Sequence, residues 1–176
     1  IQDDEISGVS RSATVAVAPV NDAPTITNIE GKIVYYDTAF GEWVLDNERT
    51  ALVSDLDSDH FDGGFLRVAI TENKQAGEDL LSFIDYFGKG ILFENDAGSN
   101  VTVGWTTVIG TLENEVAVGN DLVVNFNSAA TPARVQELVQ AVYYNNLSTG
   151  VPTSTPRTIT ITLNDGSAQN SYALRL

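Results

Sequence analysis

The chain has no cysteine and no methionine, and His60 is its single histidine. Without cysteine it can form no disulfides, no thiolate metal sites and no cysteine nucleophiles. One imidazole leaves almost no material for the usual transition-metal sites or for a Ser-His-Asp triad. Hard oxygen ligands are the metal chemistry that remains. Because there is not even an initiator methionine, we expect the chain to have been cut from a longer protein or processed.

Basic residues are also scarce, because nine Lys and Arg stand against 24 Asp and Glu, for a formal net charge of -15. This charge argues against binding to nucleic acids or anionic membrane surfaces, which both require basic patches. Long apolar runs are missing as well, and none approaches the roughly 18 residues of a membrane span. We therefore expect no nucleic-acid partner and no membrane insertion, and cations are the better partners.

Hydrophobic residues make up 43% of the chain, which is enough for one sizeable folded domain. Short segments rich in β-branched and aromatic residues recur between turn signals, which indicates a mostly β fold. Strands are predicted at Ala13–Val17, Ile26–Ile29, Lys32–Tyr36 and Trp43–Leu45. Alternating apolar positions predict further strands, the last near a sheet edge, at Leu66, Val68 and Ile70, at Leu122, Val124 and Phe126, at Ile159, Ile161 and Leu163, and at Tyr172, Leu174 and Leu176. Their apolar faces should form the core of an antiparallel β-sandwich.

One segment, residues 131–142, has the marks of a short helix instead. Thr131 can cap its N-terminus, and Pro132 suits the first helical position. Helical spacing places four apolar side chains on one face, at Val135, Leu138, Val139 and Val142. We expect this face to pack on a sheet as a lid on the sandwich.

The segment Asp55–Gly64 concentrates four carboxylates in eight residues, at Asp55, Asp57, Asp59 and Asp62. Unit charges about 4 Å apart repel by roughly 1 kcal/mol in water and by several times that at a protein surface. A calcium ion, which prefers six to eight oxygen ligands, would relieve this repulsion. An EF-hand is excluded because its sixth and twelfth positions, counted from Asp55, hold His60 and Leu66. From the loop alone, a calcium site and a solvated acidic turn both remain open.

A weak internal repeat bears on the domain organisation. The segment 163–167, followed by the strand that ends the chain, is similar to residues 1–4 followed by Ala13–Val17. We therefore expect residues 1–20 to be the closing strand and linker of a preceding repeat, and residues 21–176 to be one complete repeat. One continuous domain is the alternative.

The junction Val20-Asn21-Asp22-Ala23-Pro24-Thr25 resembles the linker of cadherin-like tandem repeats in large bacterial surface and adhesin proteins. Later landmarks occur in the order of one subgroup of these repeats, at Asp55–Ser58, Phe61–Gly64, Leu122–Asn127, Ala130–Pro132, Val142–Asn146 and Arg157–Gly166. The resemblance covers roughly residues 20–176. A more distant likeness is to the repeats of chondroitin sulfate proteoglycan type.

The resemblance implies a cadherin-like or immunoglobulin-like antiparallel β-sandwich with calcium bound between successive repeats. It points to Asn21, Asp22, Asp55 and Asp57 as ligands, with Asp3 or Asp4 as the contribution of the preceding repeat. By the same analogy Asp165 would serve the following junction, while ligation by Asp59 and Asp62 stays open. It also implies an extracellular location on a bacterial surface, with neighbouring repeats and a cell-surface glycan or protein as partners.

Three functions compete on this basis. The first is a calcium-stiffened extender repeat, and the second is a carbohydrate-binding module with exposed aromatics, for which the candidates are Trp43, Trp105, Tyr35 and Tyr36. An enzyme is the third, for which a carboxylate pair such as Asp79 and Glu94 could run glycoside hydrolysis. In so acidic a chain some carboxylate pair is guaranteed, and we expect no enzymatic activity. His60 has no nucleophile near it in the sequence, so it is expected on the loop surface.

Overall fold

The computed structural model describes residues 11–16, 20–29, 43–46, 48–85, 88–150 and 155–175. Within these ranges the chain forms eleven strands and one helix. In chain order they are β1 (Thr25–Thr27), β2 (Trp43–Val44), β3 (Leu52–Ser54), β4 (Phe65–Glu72), β5 (Asp79–Phe83), β6 (Asn100–Val103), β7 (Thr107–Leu112), β8 (Leu122–Phe126), α1 (Pro132–Val139), β9 (Val142–Asn146), β10 (Thr158–Asn164) and β11 (Gln169–Arg175).

The strands form three antiparallel sheets. A six-stranded sheet has the order β11-β10-β4-β8-β7-β6, a three-stranded sheet has the order β2-β9-β5, and β1 pairs with β3. Buried side chains from the two larger sheets and from α1 meet in a shared hydrophobic core. The predicted class, a mostly β, antiparallel β-sandwich with one short helix, is confirmed for the described residues. Its assignment to the cadherin or immunoglobulin type stays a prediction.

The alternating apolar positions form this core as predicted. Ile159, Ile161 and Leu163 on β10 are completely buried, and they lie beside β4 in the sheet. The strand with Tyr172 and Leu174 lies at the sheet edge, as expected. The remaining alternating positions are all buried, at Leu66, Val68, Ile70, Leu122, Val124 and Phe126. Leu176 is outside the described residues. Period-two alternation was therefore a reliable signal, because each strand has one face on the core.

The N-terminal strand predictions were less accurate. Residues 13–16 are exposed and belong to no strand, so Ala13–Val17 is wrong over that range. The strand predicted at Ile26–Ile29 is β1, which ends at Thr27 because Asn28 has a left-handed φ of 61°. The strand at Trp43 is two residues long and ends before Leu45. The prediction at Lys32–Tyr36 lies outside the described residues.

The helix begins where expected and ends early. Thr131 occupies the N-cap position with extended backbone angles, without a side-chain capping bond, and Pro132 is the first helical residue. The helix ends at Val139, and Val142 instead begins β9, where it pairs with Phe83. Val142 is buried as expected, but as a strand residue. Within the described ranges, no helix has the length and apolar character needed to cross a membrane.

Helix α1 covers the edge of β3 through polar contacts as well as apolar ones. The Gln136 side-chain oxygen accepts the Val53 N–H at 3.1 Å. Just past the helix, the buried Gln140 amide donates to the Ala51 carbonyl at 2.8 Å. These bonds satisfy backbone groups that a sheet partner would otherwise have to satisfy. The predicted lid therefore also holds the strand that leads into the acidic loop.

Candidate cation site

Two loops that are distant in sequence meet at one end of the six-stranded sheet. The acidic loop lies between β3 and β4, and Asp165 follows directly after β10. Since β10 and β4 are antiparallel, with Asn164 opposite Phe65, the end of β10 lies beside the beginning of β4. The turn at Asp165 is therefore next to the acidic loop.

Glycine permits the close contact between these two loops. A Cβ atom on Gly64 would overlap the backbone carbonyl of Asn164. On the other side, a Cβ on Gly166 would overlap the Asp62 carbonyl, and Gly166 also has a φ of 102°. This backbone conformation is open to glycine and strained for other residues. The Gly-Gly turn and the Asp-Gly turn thus bring the two acidic segments together.

Three carboxylates converge where the loops meet. Asp55, Asp57 and Asp165 each offer one oxygen, and these oxygens all lie within 4.8 Å of one another. Asp165 is buried, Asp55 is half-buried and Asp57 is exposed. The group is therefore open to solvent on one side and enclosed on the other.

Asp55 has one satisfied and one unsatisfied oxygen. Its Oδ1 accepts the N–H groups of Asp57 at 3.0 Å and Ser58 at 2.8 Å, which fixes the side chain in an Asx turn. Its Oδ2 is buried and has no hydrogen-bond partner among the residues that the structure describes. A buried carboxylate oxygen without a partner is costly. A bound cation would satisfy this atom, so the residues present fit a metal ion.

The segment before β1 is tied to the same carboxylates. The Asp22 N–H donates to Asp57 Oδ2 at 3.2 Å, and the Asn21 side-chain amide donates to Asp165 Oδ2 at 2.9 Å. Further along, the Asn170 amide donates to the Pro24 carbonyl at 3.0 Å. The Asn-Asp linker is thus joined to both acidic loops and to β11.

Asp165 is held as an anion by its surroundings. Burial raises its pKa, but the N–H groups of Ala168 and Ser167 and the amide of Asn21 outweigh burial, and the pKa lies below its ordinary value. Both N–H groups donate to Oδ1 at 2.7 Å. Ser58 Oγ lies 3.4 Å from the other oxygen, Oδ2. Asp165 therefore carries its negative charge at neutral pH.

The predicted ligands other than Asp165 divide into three groups. The structure brings Asn21, Asp22, Asp55 and Asp57 close together, and their role as ligands of one site stays a prediction. Asp59 and Asp62 are exposed and outside the carboxylate group, as is His60. Asp3 and Asp4 lie outside the described residues.

Asp165 corrects one expectation, since it was assigned to the following junction and lies in the same site as Asp55. Its contact with Asn21 places it on the side of the molecule where the linker arrives. The antiparallel pairing of β10 with β4 is the reason, and the apolar alternation alone does not give that pairing because β8 and β11 share it. Ser58 was missed because a serine in an acidic turn carries no distinct sequence signal.

The two carboxylates considered for catalysis, Asp79 and Glu94, lie in different environments. Asp79 is fully buried, and Arg157 lies 3.2 Å from its Oδ1 in an ion pair. Asp79 Oδ1 also accepts the Tyr144 hydroxyl at 2.7 Å, and Oδ2 accepts the Gln75 N–H at 2.6 Å. Burial, and then the bond to Asp79, raise the pKa of Tyr144. Asp79 therefore belongs to a buried network that joins β5 and β9 to the segment before β10, whereas Glu94 is exposed.

The aromatic residues considered as stacking platforms differ in what the structure shows of them. Trp105 is 57% exposed at the turn between β6 and β7. The backbone of Trp43 pairs with Tyr144 in β2 and β9. Tyr35 and Tyr36 lie outside the described residues. Trp105 is thus the one candidate ring that the described residues show on the surface.

Comparison of the chain with protein-family models, with curated proteins and with solved structures finds no match.

Proposed function

We propose that this chain is a calcium-binding extender repeat of a large extracellular, adhesin-like bacterial surface protein, in which calcium stiffens the connection to a neighbouring repeat. The observation that carries the proposal is the convergence of the Asp55, Asp57 and Asp165 carboxylates, one of which has a buried oxygen without a hydrogen-bond partner among the described residues. The resemblance to cadherin-like repeats supports the same function, and neighbouring repeats of the chain are the partners it implies.

The spacing of the carboxylates suits a calcium ion. Calcium binds oxygen ligands at about 2.3–2.6 Å, so two ligands of one ion lie no more than about 5 Å apart. The three oxygens satisfy this limit, since they lie within 4.8 Å of one another. The group contains no nitrogen or sulfur ligand, which favours hard cations over zinc or copper. Water and backbone oxygens would complete the coordination.

The position of the site supports a mechanical role. The linker residues Asn21 and Asp22 bond to the carboxylates, so an ion held there would fix the segment that leads into the domain. Strand β11 runs away from the site and ends at Arg175, which pairs with Thr158 at the opposite end of β10. The linker therefore lies at one end of the sheet and the last described residue of β11 at the other, an arrangement that suits an end-to-end array.

Thermal unfolding in calcium and in chelator tests this proposal. Calcium sites of extracellular modules have dissociation constants of about 10⁻⁴–10⁻³ M, so 5 mM calcium stabilises the folded state by about 1–2 kcal/mol. For a domain of this size, that corresponds to a rise in Tm of about 2–8 °C. We expect this rise in 5 mM calcium and its loss in the Asp55→Asn, Asp57→Asn double variant. In chelator, the same variant should be at least as stable as the native chain, because the carboxylate repulsion is relieved.

The matched control is the Asp59→Asn, Asp62→Asn double variant, which makes the same charge change on exposed positions of the same loop. It should keep the full calcium response. Equal Tm values in calcium and chelator for the native chain would refute the proposal. A response lost equally in both double variants would mean that calcium acts through general screening of the acidic loop.

A further inference from the structure

Trp105 combines high exposure with a strained backbone. The residue is 57% exposed, and its φ of 72° lies in the left-handed region. That region is a genuine outlier for a bulky side chain, and holding it costs about 1–3 kcal/mol. An exposed side chain gains little from burial that could offset this cost. Such strain is concentrated at ligand sites, where the surrounding structure fixes a side chain in position.

The surroundings of Trp105 hold it rigidly. The N–H groups of Trp105 and Gly104 donate to the carbonyls of Gly90 and Lys89 at 3.2 Å and 2.9 Å. Gly90 is buried against the turn, and a Cβ there would overlap the Trp105 backbone and ring. Asp85 Oδ1 in turn accepts the N–H groups of Lys89 at 2.7 Å and Gly90 at 3.2 Å. The indole therefore sits on a fixed platform of two interlocked turns.

A cleft begins a few residues from this platform. Leu92 and Thr102 exchange backbone hydrogen bonds of 3.0 Å and 2.8 Å, in the same antiparallel ladder that joins Gly90 to Trp105. Gly90 and Leu92 are two residues apart, so the Trp105 turn follows directly after the Leu92–Thr102 pair in this ladder. The cleft has a volume of about 550 Å³ and is open to solvent. Its lining mixes apolar and polar groups, from Leu92, Phe93, Glu94, Ser99, Asn100 and Thr102.

We propose that this cleft, with Trp105 as a stacking platform at its end, binds a neutral saccharide chain. The negative π-face of an indole attracts the partly positive C–H groups on the face of a sugar ring. Hydroxyl, amide and carboxylate groups from Thr102, Asn100 and Glu94 can bond the sugar hydroxyls, as in other small-molecule clefts with few polar contacts. The site uses no residue of the cation site.

The chemistry of this surface favours a sugar over other ligands. The net charge of -15 opposes anionic lipids, nucleic acids and sulfated glycans. A stable protein interface needs about 800 Å² on each partner with an apolar centre. Trp105 instead stands between exposed Gly104 and Thr106 in the turn. An exposed aromatic ring beside a cleft with polar groups suits a sugar, which has both apolar C–H faces and hydroxyl groups.

Isothermal titration calorimetry of the full chain tests the proposal, with cellohexaose, laminarihexaose and chitohexaose as probes. We expect saturable binding of at least one probe, which Trp105→Ala weakens at least tenfold and Trp105→Tyr by only a few-fold. Glu94→Gln should also weaken binding. Leu147→Ala, which truncates another exposed apolar side chain, should leave it unchanged. Titrations in chelator should give the same result, which separates this site from the proposed calcium function.

Thermal unfolding of Trp105→Gly separates a ligand role from a structural one. Glycine adopts a positive φ without strain, so this variant should unfold at the native temperature or above while losing saccharide binding. A lower Tm would show that the ring supports the fold, and would overturn the proposal. It would be overturned equally by absence of saturable heat with all three probes, or by undiminished binding in Trp105→Ala.

Discussion

At the scale of single residues, Asp79 and Asp55 show two ways to accommodate a carboxylate away from water. Asp79 has an internal cation, because Arg157 pairs with it inside the protein. Asp55 has backbone N–H groups on one oxygen and no partner on the other. A buried carboxylate needs compensating charge or hydrogen bonds. The charge of Asp79 is therefore compensated within the chain, whereas the unpartnered oxygen of Asp55 points to an ion from solution.

The Asp79–Arg157 pair makes a prediction about stability. Arg157→Leu leaves Asp79 buried without its cation, and should lower the free energy of unfolding by about 3–5 kcal/mol. Adding Asp79→Leu should recover part of that loss, because the uncompensated charge is removed. Arg67→Leu is the control, since its pair with Asp121 is half-exposed on the arginine side and should contribute less than about 1 kcal/mol.

Urea unfolding of the two single variants and the double variant completes the cycle. A double variant as unstable as the sum of the single losses would contradict the predicted coupling.

At the scale of elements, the contact between the acidic loop and the turn after β10 decides whether the site exists. The contact depends on Gly64 and Gly166, whose missing side chains let two backbones approach. Sequence reasoning found the acidic loop and the Asp-Gly turn, but assigned them to different junctions. Local patterns carry the turn chemistry, whereas the pairing of turns depends on strand register.

A single methyl group should therefore separate the loops. Gly64→Ala places a Cβ against the Asn164 carbonyl, and we expect a loss of about 1–3 kcal/mol in unfolding free energy. The calcium-induced rise in Tm should also shrink, because Asp165 moves away from Asp55. Gly77→Ala is the control, since a Cβ there meets no atom within 4 Å.

Thermal unfolding of both glycine variants, in calcium and in chelator, measures the two effects together. A full calcium response in a destabilised Gly64→Ala would show that the close approach is not needed for binding.

Elements with one buried face were predicted best. The alternation on β4, β8 and β10 placed the core correctly because a strand face repeats every two residues. The helix prediction extended three residues too far, since Val142 continues the helical spacing and yet lies in β9. Burial of Val142 is compatible with either element, and only its pairing with Phe83 selects the strand.

At the scale of the whole molecule, the charge of -15 and the specific site should respond differently to salt. Sodium chloride screens repulsion among all the carboxylates, because the Debye length falls from about 10 Å at 0.1 M to about 3 Å at 1 M. It should therefore raise the Tm of the native chain and of the Asp55→Asn, Asp57→Asn variant alike. Calcium at millimolar concentration should raise the Tm of the native chain but not that of the variant.

A matrix of melts at low and high sodium chloride, with and without calcium, measures this difference. An equal calcium response in the two proteins at low salt would assign the effect to general screening. A calcium response of the native chain that vanishes at 0.5 M sodium chloride would also contradict a coordinated ion.

The amino-acid sequence alone determined the mostly β class, the core faces and the acidic loop. These follow from composition and from patterns a few residues long. Tertiary structure decided that Asp165 joins Asp55 and Asp57, that Asp59 and Asp62 face solvent, and that Trp105 is exposed. Ser58 and Asp165 interact across 107 positions of the chain. Strand register sets such distant contacts, and the pairing energy that selects a register is spread over the whole sheet.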